Sequence, residues 1–330
     1  MRVKRISSGL GPLVALCSAS AAGAVETSSK RGLAYSGDDN EADMNLLTSD
    51  KSPISWYYTW SLNQAPDVNG TAAFVPLVPT TDEAADSGLE TTLGALPSSS
   101  THLLTFNEPD GTTDSGGSSV EPEDAAKAYV DHIAALRTSD SRSWNISHPS
   151  VTGSERGLEW LRSFNESCYE LDPDAGCPTD FISVHWYGDF AGLTWWLDTL
   201  REFYVTNSSS PDRDLPFWVT ELALPQQDED ATVAMLNSSL GYLDSLDWVS
   251  GYAWFGAFRS DDANDWTGSS VALFDDDGGL TEVGSLYMGG EANGFAKGTK
   301  GEGDSSPAAY ASAPTWMLSV AGAVILVLTI

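Results

Sequence analysis

The chain has 330 residues and a formal net charge of −31 at pH 7, from 47 acidic against 16 basic side chains, and 41% of its residues are hydrophobic. This excess of negative charge repels phosphate backbones and anionic membrane surfaces, so nucleic acid and lipid headgroups are excluded as partners. The hydrophobic fraction is ample for one large buried core.

The first segment of the chain has the composition of a secretory signal peptide. Residues 1–5 (MRVKR) are basic, residues 10–24 are mildly apolar, and the stretch closes on small residues of the type that signal peptidase accepts. The apolar stretch is shorter than the ~20 residues that a membrane-spanning helix needs. We therefore expect a signal peptide over residues 1–24 and a short propeptide over residues 25–31, ending in a dibasic Lys-Arg pair.

The middle of the chain alternates strand-like and helix-like segments. Runs rich in β-branched and aromatic residues predict eight strands, at residues 32–36, 54–60, 73–78, 102–107, 145–149, 180–187, 216–221 and 251–257. Helical patterns lie between them and are clearest at residues 121–137, 155–168, 192–204, 232–246 and 282–288. Because strand–helix units repeat through one segment of domain size, the predicted fold is α/β, a single-domain (β/α)8 TIM barrel over residues 32–297. A doubly wound open sheet is disfavoured because residues 32–37 lack the glycine spacing of a phosphate-binding loop.

The end of the chain is typical of a glycosylphosphatidylinositol (GPI) attachment signal. Residues 298–315 form a Ser/Gly/Pro-rich linker with small residues suited to the attachment site, and residues 316–330 form an apolar tail. A short transmembrane helix is the alternative, but no basic residue follows the tail to hold it in the cytosol. We expect a secreted monomer at the cell surface or cell wall, whose contact with the membrane is its GPI lipid anchor alone.

The cysteines and glycosylation motifs agree with a secretory route. One of the three cysteines lies in the predicted signal peptide, which leaves Cys168 and Cys177 to form a disulfide in an oxidising compartment. Five Asn-X-Ser/Thr motifs predict N-linked glycans at Asn69, Asn145, Asn165, Asn207 and Asn237.

Two glutamates end the fourth and seventh predicted strands. The fourth strand delivers Asn107 and Glu108 to its carboxyl end, where Pro109 stops it, and the seventh strand delivers Glu221. Strict alternation predicts that Phe217, Val219 and Glu221 share one face, and that Leu104, Phe106 and Glu108 share another. Since catalytic groups of a TIM barrel sit at the carboxyl ends of its strands, both carboxylates are expected at one mouth.

Two carboxylates at one barrel mouth suit glycoside cleavage. One carboxylic acid protonates the departing oxygen while the second carboxylate attacks the anomeric carbon, and Asn107 is well placed to bond the sugar 2-hydroxyl. The ordinary alternative is that each glutamate forms a salt bridge at the rim. With only 16 basic residues in the chain, partners for such bridges are scarce.

Four other residues are candidates for substrate binding. His185 and Tyr187 lie two apart at the end of the sixth strand and share a face, where they would orient Glu221 or bind sugar hydroxyls, although a hydrogen-bonded pair packed in the barrel is equally expected. Trp254 and Trp60 are candidate platforms for a sugar ring. No cofactor or metal is predicted, because the acidic stretch 261–277 does not match a calcium-binding loop.

Four motifs resemble glycoside hydrolase family 128, within the Asn-Glu-Pro clan of retaining barrel hydrolases. They are residues 55–60 (SWYYTW), 106–110 (FNEPD), 180–187 (DFISVHWY) and 217–221 (FWVTE). The resemblance implies a fungal cell-wall enzyme that cleaves β-1,3-glucan, with Glu108 as acid/base and Glu221 as nucleophile. Residues 222–224 (LAL) depart from the more polar or aromatic continuation that we expect.

Two other functions use the same residues. A wall-associated β-glucan-binding protein on a barrel scaffold would show little turnover, but it has no need of both glutamates. A transglycosylase, in which a sugar replaces water as acceptor, would need every residue named above.

Overall fold

The computed structural model describes residues 30–37, 40–66, 68, 72–139, 141–206 and 214–303. Its strands form two parallel ladders, in the orders β3-β2-β1-β9-β8-β7 and β4-β5-β6. The strands are β1 Arg31–Ala34, β2 Trp56–Tyr58, β3 Ala73–Phe74, β4 Leu77–Val78, β5 His102–Thr105, β6 Asn145–Ile146, β7 Ile182–Tyr187, β8 Phe217–Ala223 and β9 Val249–Trp254. Several predicted features lie outside the described residues: the signal peptide, residues 25–29 of the propeptide, residues 304–315 of the linker, the apolar tail, Asn69 and Asn207.

The two ladders meet at both ends and close into a barrel. β3 and β4 are two parts of one strand, interrupted at Pro76, whose ring nitrogen has no proton to donate to a ladder. On the other side, Ser147, directly after β6, forms a parallel bridge with Phe181, directly before β7, and so joins the two ladders. Nine short strands therefore occupy eight positions, and the (β/α)8 prediction is confirmed.

Several of the described helices begin at a short polar side chain that caps them. The side chains of Ser154, Asp189, Asp228 and Thr281 each accept a backbone N–H of the first turn, which satisfies a donor that has no partner within the helix. The helices are α1 Glu41–Leu47, α2 Thr81–Ala84, α3 Leu89–Ala95, α4 Pro122–Ala128, α5 Glu155–Leu171, α6 Phe190–Arg201, α7 Glu229–Ser245 and α8 Glu282–Tyr287. Within the described ranges, none of them combines the length and the apolarity that a bilayer crossing requires.

Aromatic side chains fill the inside of the barrel below its carboxyl-terminal mouth. Trp56, Tyr58, Leu104, Phe181 and Trp218 are buried there in one cluster. A separate and larger core lies between the strands and the surrounding helices. The barrel is therefore a packed interior rather than a pore, and a substrate can bind only at its mouth.

The disulfide and the described glycosylation motifs agree with the sequence analysis. Cys168, near the end of α5, is bonded to Cys177. Asn145 and Asn237 are exposed, and Asn165 is half-buried. Whether these asparagines carry glycans stays a prediction.

A buried ion pair ties the first helix to the segment after β9. Arg259 donates from Nε to Oδ2 of Asp43 at 2.7 Å and from Nη2 to Oδ1 at 3.0 Å, and the Asp43 side chain is 1% exposed. We expect Asp43→Ala to lower the free energy of unfolding by about 3 kcal/mol, because it removes the buried carboxylate that accepts two hydrogen bonds from the Arg259 guanidinium. Denaturant unfolding measures the loss. Asp131→Ala, which breaks the exposed pair with Lys127, is the control and should cost less than about 1 kcal/mol; equal losses would contradict the prediction.

Candidate active site

Glu221 reaches the barrel interior through a bulge in β8. Val184 pairs with Val219, and the next pair is His185 with Glu221, so Thr220 is an extra residue in β8. The bulge reverses the alternation of side chains. Phe217 and Val219 pack in the core between strands and helices, whereas Glu221 points to the inside. The prediction that these three residues share a face is therefore wrong.

Glu108 reaches the same interior through unusual backbone angles. Leu104 lies in the inner cluster, but Phe106 packs in the outer core, so the alternation predicted for this strand is also wrong. Phe106 has φ 38° and Glu108 has φ 40°, in the left-handed region that non-glycine residues avoid. Such angles cost on the order of 1–3 kcal/mol each and are concentrated at functional sites. The Glu108 N–H donates to the carbonyl of Ser150 at 2.8 Å, which fixes the turn.

Three donors surround the carboxylate of Glu221. The Tyr58 hydroxyl and the Trp60 indole N–H donate to Oε1, at 2.9 and 2.7 Å, and the Tyr187 hydroxyl donates to Oε2 at 2.5 Å. An indole N–H only donates, so Oε1 of Glu221 is the acceptor in the bond with Trp60. The three partners fix the orientation of the Glu221 carboxyl group.

His185 lies between the two glutamates. Its Nδ1 shares a hydrogen bond of 3.0 Å with Oε1 of Glu108, and its Nε2 lies 3.4 Å from Oε1 of Glu221 in ion-pair contact without hydrogen-bond alignment. The ring is buried. Burial lowers the pKa of His185, but the charge of Glu221 and the bond with Glu108 outweigh it and hold the pKa above the ordinary value.

Burial sets the protonation of the remaining groups. It raises the pKa of Glu108 above the usual glutamate value, against the hydrogen bond from His185, which lowers it. Burial and the negative charge of Glu221 also raise the pKa values of Tyr58 and Tyr187 well above the ordinary tyrosine value. Both phenols therefore remain protonated donors to Glu221.

Among the described residues, Glu108, His185 and Glu221 are the only group of three or more potential metal ligands whose donor atoms lie close enough together to hold one ion. Donor atoms of Glu108, His185 and Glu221 lie within 4.8 Å of one another. His185 already contacts both carboxylates, and three hydroxyl and indole donors occupy the oxygens of Glu221. We interpret the cluster as a proton and hydrogen-bond network.

A cleft of about 1030 Å³ opens above the two glutamates. Its polar wall beside Glu108 comes from the loops 114–118 and 152–156, and its aromatic wall beside Glu221 comes from side chains of four segments. The residues that line the cleft include Trp60, Asn107, Tyr187, Phe255, Asp265 and Trp266.

The structure places most of the predicted site residues around one cleft, and it shows that one of them, Trp254, lies elsewhere. Asn107, Trp60 and Tyr187 line the cleft with the two glutamates, and His185 lies directly beneath. Trp254 is fully buried in the outer core and donates its indole N–H to the carbonyl of Val271 at 2.8 Å. Its interpretation as a sugar platform is therefore wrong, because β9 turns this side chain toward the helices.

Three residues of the site were not singled out by the sequence pattern. Phe255 takes the place predicted for Trp254 and packs edge-on against Trp60 and Tyr187. Tyr58 shares a face with Trp60, so strand alternation gave a signal for it. Trp266 lies in the loop after β9, where no periodic pattern exists to single it out.

Comparison with known proteins identifies a family. The family model described as "Glycosyl hydrolase catalytic core" matches residues 32–287. Alkali-sensitive linkage protein 1 of Schizosaccharomyces pombe is 29% identical over 269 residues, which cover 79% of this chain and 44% of that protein. The chain thus spans less than half the length of this relative.

Solved structures agree. A subgroup III curdlan-specific exo-β-1,3-glucanase of glycoside hydrolase family 128 from Blastomyces gilchristii is 25% identical, with TM-score 0.59, and 79% of this chain and 97% of that chain are covered. A subgroup II endo-β-1,3-glucanase from Sorangium cellulosum is also 25% identical, with TM-score 0.61 and coverage of 79% and 98%. A subgroup VI exo-β-1,3-glucanase from Aureobasidium namibiae, 22% identical with TM-score 0.64 and coverage of 80% and 97%, shares the fold. The resemblance to family 128 is confirmed.

The contact between His185 and Glu108 leads to a testable prediction about the pKa of Glu108. We expect His185→Gln to raise the pKa of Glu108 further, because the hydrogen bond and positive charge that lower this pKa are removed. Carbon-13 NMR titration of the carboxyl group measures the shift. Tyr187→Phe, which alters a donor to Glu221 only, should leave the Glu108 titration nearly unchanged. A fall of the Glu108 pKa in His185→Gln would refute the assigned contact.

Proposed function

Since the chain belongs to the family of glycosyl hydrolase catalytic cores and is a glycosidase, we propose that it hydrolyses β-1,3-glucan with retention of anomeric configuration. The observation that carries the proposal is the pair Glu108 and Glu221, held beneath an open cleft by one histidine. A module that only binds glucan has no need of two buried carboxyl groups placed so close together.

The short distance between the carboxyl groups supports retention. An oxygen of Glu108 and an oxygen of Glu221 lie within 4.8 Å. Retaining glycosidases place their carboxyl groups about 5–5.5 Å apart, whereas inverting enzymes need about 6.5–9.5 Å to admit a water molecule between the sugar and the base. A separation this short supports the retaining arrangement over the inverting one.

The environments of the two glutamates support separate roles. Burial keeps the pKa of Glu108 raised, so Glu108 acts as the acid and gives its proton to the departing glycosidic oxygen. The Glu221 anion attacks the anomeric carbon as that carbon–oxygen bond breaks. Glu108, now a carboxylate, then takes a proton from water, whose oxygen attacks the same carbon and releases Glu221. Asn107 beside Glu108 is available to bond the 2-hydroxyl.

The similar proteins support β-1,3-glucan as the substrate class. The solved relatives are β-1,3-glucanases, one of them in complex with glucose, and another from Amycolatopsis mediterranei, 21% identical, is in complex with laminarihexaose. Trp60 and Phe255 give the cleft an apolar wall that suits the C–H face of a sugar ring.

We further propose that the enzyme acts in the fungal cell wall, as a secreted and GPI-anchored monomer. The Cys168–Cys177 disulfide and the exposed sequon asparagines Asn145 and Asn237 support a secretory route. The similar alkali-sensitive linkage protein 1 comes from a fission yeast, which supports a fungal setting.

Replacement of the nucleophile tests the two roles. We expect Glu221→Gln to lower kcat on laminarin by about 10⁴-fold or more, because an amide cannot form the glycosyl ester, while laminarihexaose still binds. Reducing-sugar release and calorimetry measure the two quantities. Glu229→Gln, on the surface of α7, is the control and should keep wild-type activity. Near-normal turnover by Glu221→Gln would remove Glu221 from the mechanism.

Product stereochemistry tests the double displacement. Proton NMR during the first minutes of laminarihexaose hydrolysis should show the β-anomer before mutarotation, because two inversions at one carbon restore its configuration. Appearance of the α-anomer first would establish inversion. Inactivity of the wild-type enzyme toward β-1,3-, β-1,4- and mixed-linkage glucans would overturn the proposed substrate class.

A further inference from the structure

Trp266 is the most exposed large hydrophobic side chain among the described residues. It is 58% exposed, and it lines the catalytic cleft in the loop that follows β9. The ring continues the aromatic wall of the cleft through Tyr187, and an apolar surface exposed within a groove is typical of a ligand-binding site. The proposed mechanism assigns no step to this side chain, whose ring contacts that of Tyr187.

The loop around Trp266 is fixed before any ligand arrives. Asn264 Oδ1 accepts the backbone N–H groups of Trp266 and Thr267, at 3.1 and 2.8 Å. From the opposite side, the Gln226 side-chain amide donates to the carbonyls of Asp265 and Trp266, at 2.6 and 3.0 Å. Four hydrogen bonds thus hold the backbone of three consecutive residues, 265–267, so little ordering entropy remains to be lost when a ligand stacks on the indole.

One aromatic ring separates Trp266 from the nucleophile. The Trp266 and Tyr187 rings meet edge to face at 4.7 Å and 70°, and the Tyr187 hydroxyl bonds Glu221. Phe255 and Trp60 continue the aromatic wall past the catalytic centre. The sugar that is attacked must contact Glu221, so a ring lying over Trp266 belongs to a neighbouring unit of the chain.

We propose that Trp266 is the stacking platform of a separate sugar-binding subsite, next to the subsite of the attacked glucose unit. The C–H face of a pyranose covers the indole, and the exposed Asp265 carboxylate beside it accepts sugar hydroxyls. The subsite rests on the proposed β-1,3-glucanase function and defines how a chain longer than the cleaved bond is held. Trp266 is a specificity-determining residue for chain length, and the chemistry of cleavage does not depend on it.

A chain-length series tests the subsite. The specificity constant kcat/KM is measured for laminarioligosaccharides of two to six units with the wild type, Trp266→Ala and Trp266→Phe. Filling a stacking subsite contributes about tenfold, so Trp266→Ala should lose about tenfold on the long oligosaccharides and little on the shortest cleaved one. Trp266→Phe, which keeps a ring, should recover most of the loss. Trp195→Ala removes an indole that is 49% exposed on α6, outside the cleft, and should match the wild type.

The outcomes separate this inference from the proposed function. An equal loss at every chain length means that Trp266 acts through Tyr187 on the nucleophile, and no loss means that it binds no sugar; either result overturns the subsite while leaving the glucanase function intact. Calorimetry with laminarihexaose on Glu221→Gln, with and without Trp266→Ala, gives the binding term directly, with a roughly tenfold weaker Kd expected. If the wild type neither binds nor cleaves β-1,3-glucan, both proposals fall together.

Discussion

The repulsion between the carboxylates of Glu108 and Glu221 is the main physical constraint on this site. Oxygens of Glu108 and Glu221 lie within 4.8 Å, and at an effective dielectric constant of about 20 two full charges at that distance repel by about 3.5 kcal/mol. That is a large fraction of the ~5–15 kcal/mol that stabilises a typical protein. The structure relieves it in two ways: burial favours the protonated form of Glu108, and His185, whose pKa is raised, lies between the two groups. Because the protonated form is favoured at Glu108, the two glutamates can take different roles.

Placing both carboxyl groups at one mouth also requires irregular backbone. β8 needs the extra residue Thr220, and the turn after β5 needs left-handed angles at Phe106 and Glu108. The packed barrel supports both irregularities, because the aromatic cluster around Trp56 and Trp218 beneath them leaves little freedom to relax. The packing of the barrel interior thus stabilises the strained backbone at the mouth.

The cleft combines two kinds of wall with different tasks. Beside Glu108, the loops 114–118 and 152–156 present polar groups, and buried Asp110 bonds the backbone of Thr152 at 2.8 Å. Beside Glu221, aromatic rings from Trp60 to Trp266 form a continuous surface. A glucan ring has an apolar C–H face and a rim of hydroxyls. The aromatic wall of the cleft can pack against the C–H face, and the polar wall can hydrogen-bond the hydroxyls.

Much of this protein followed from local pattern. Strand–helix alternation determined the barrel, strand-final positions determined Glu108 and Glu221, and the spacing of His185 and Tyr187 placed both on one face, because each depends only on neighbours in the chain. The alternation of side chains along a strand could not predict where that alternation is interrupted. The bulge at Thr220 and the left-handed turn at Glu108 form only when neighbouring strands fix the register, so the sequence alone assigned the wrong face to Phe217, Val219 and Phe106. The same limit misplaced Trp254 and hid Trp266. Which chain segments carry the chemistry was determined by the sequence, and which side chains face the substrate was decided by long-range strand pairing and loop hydrogen bonds.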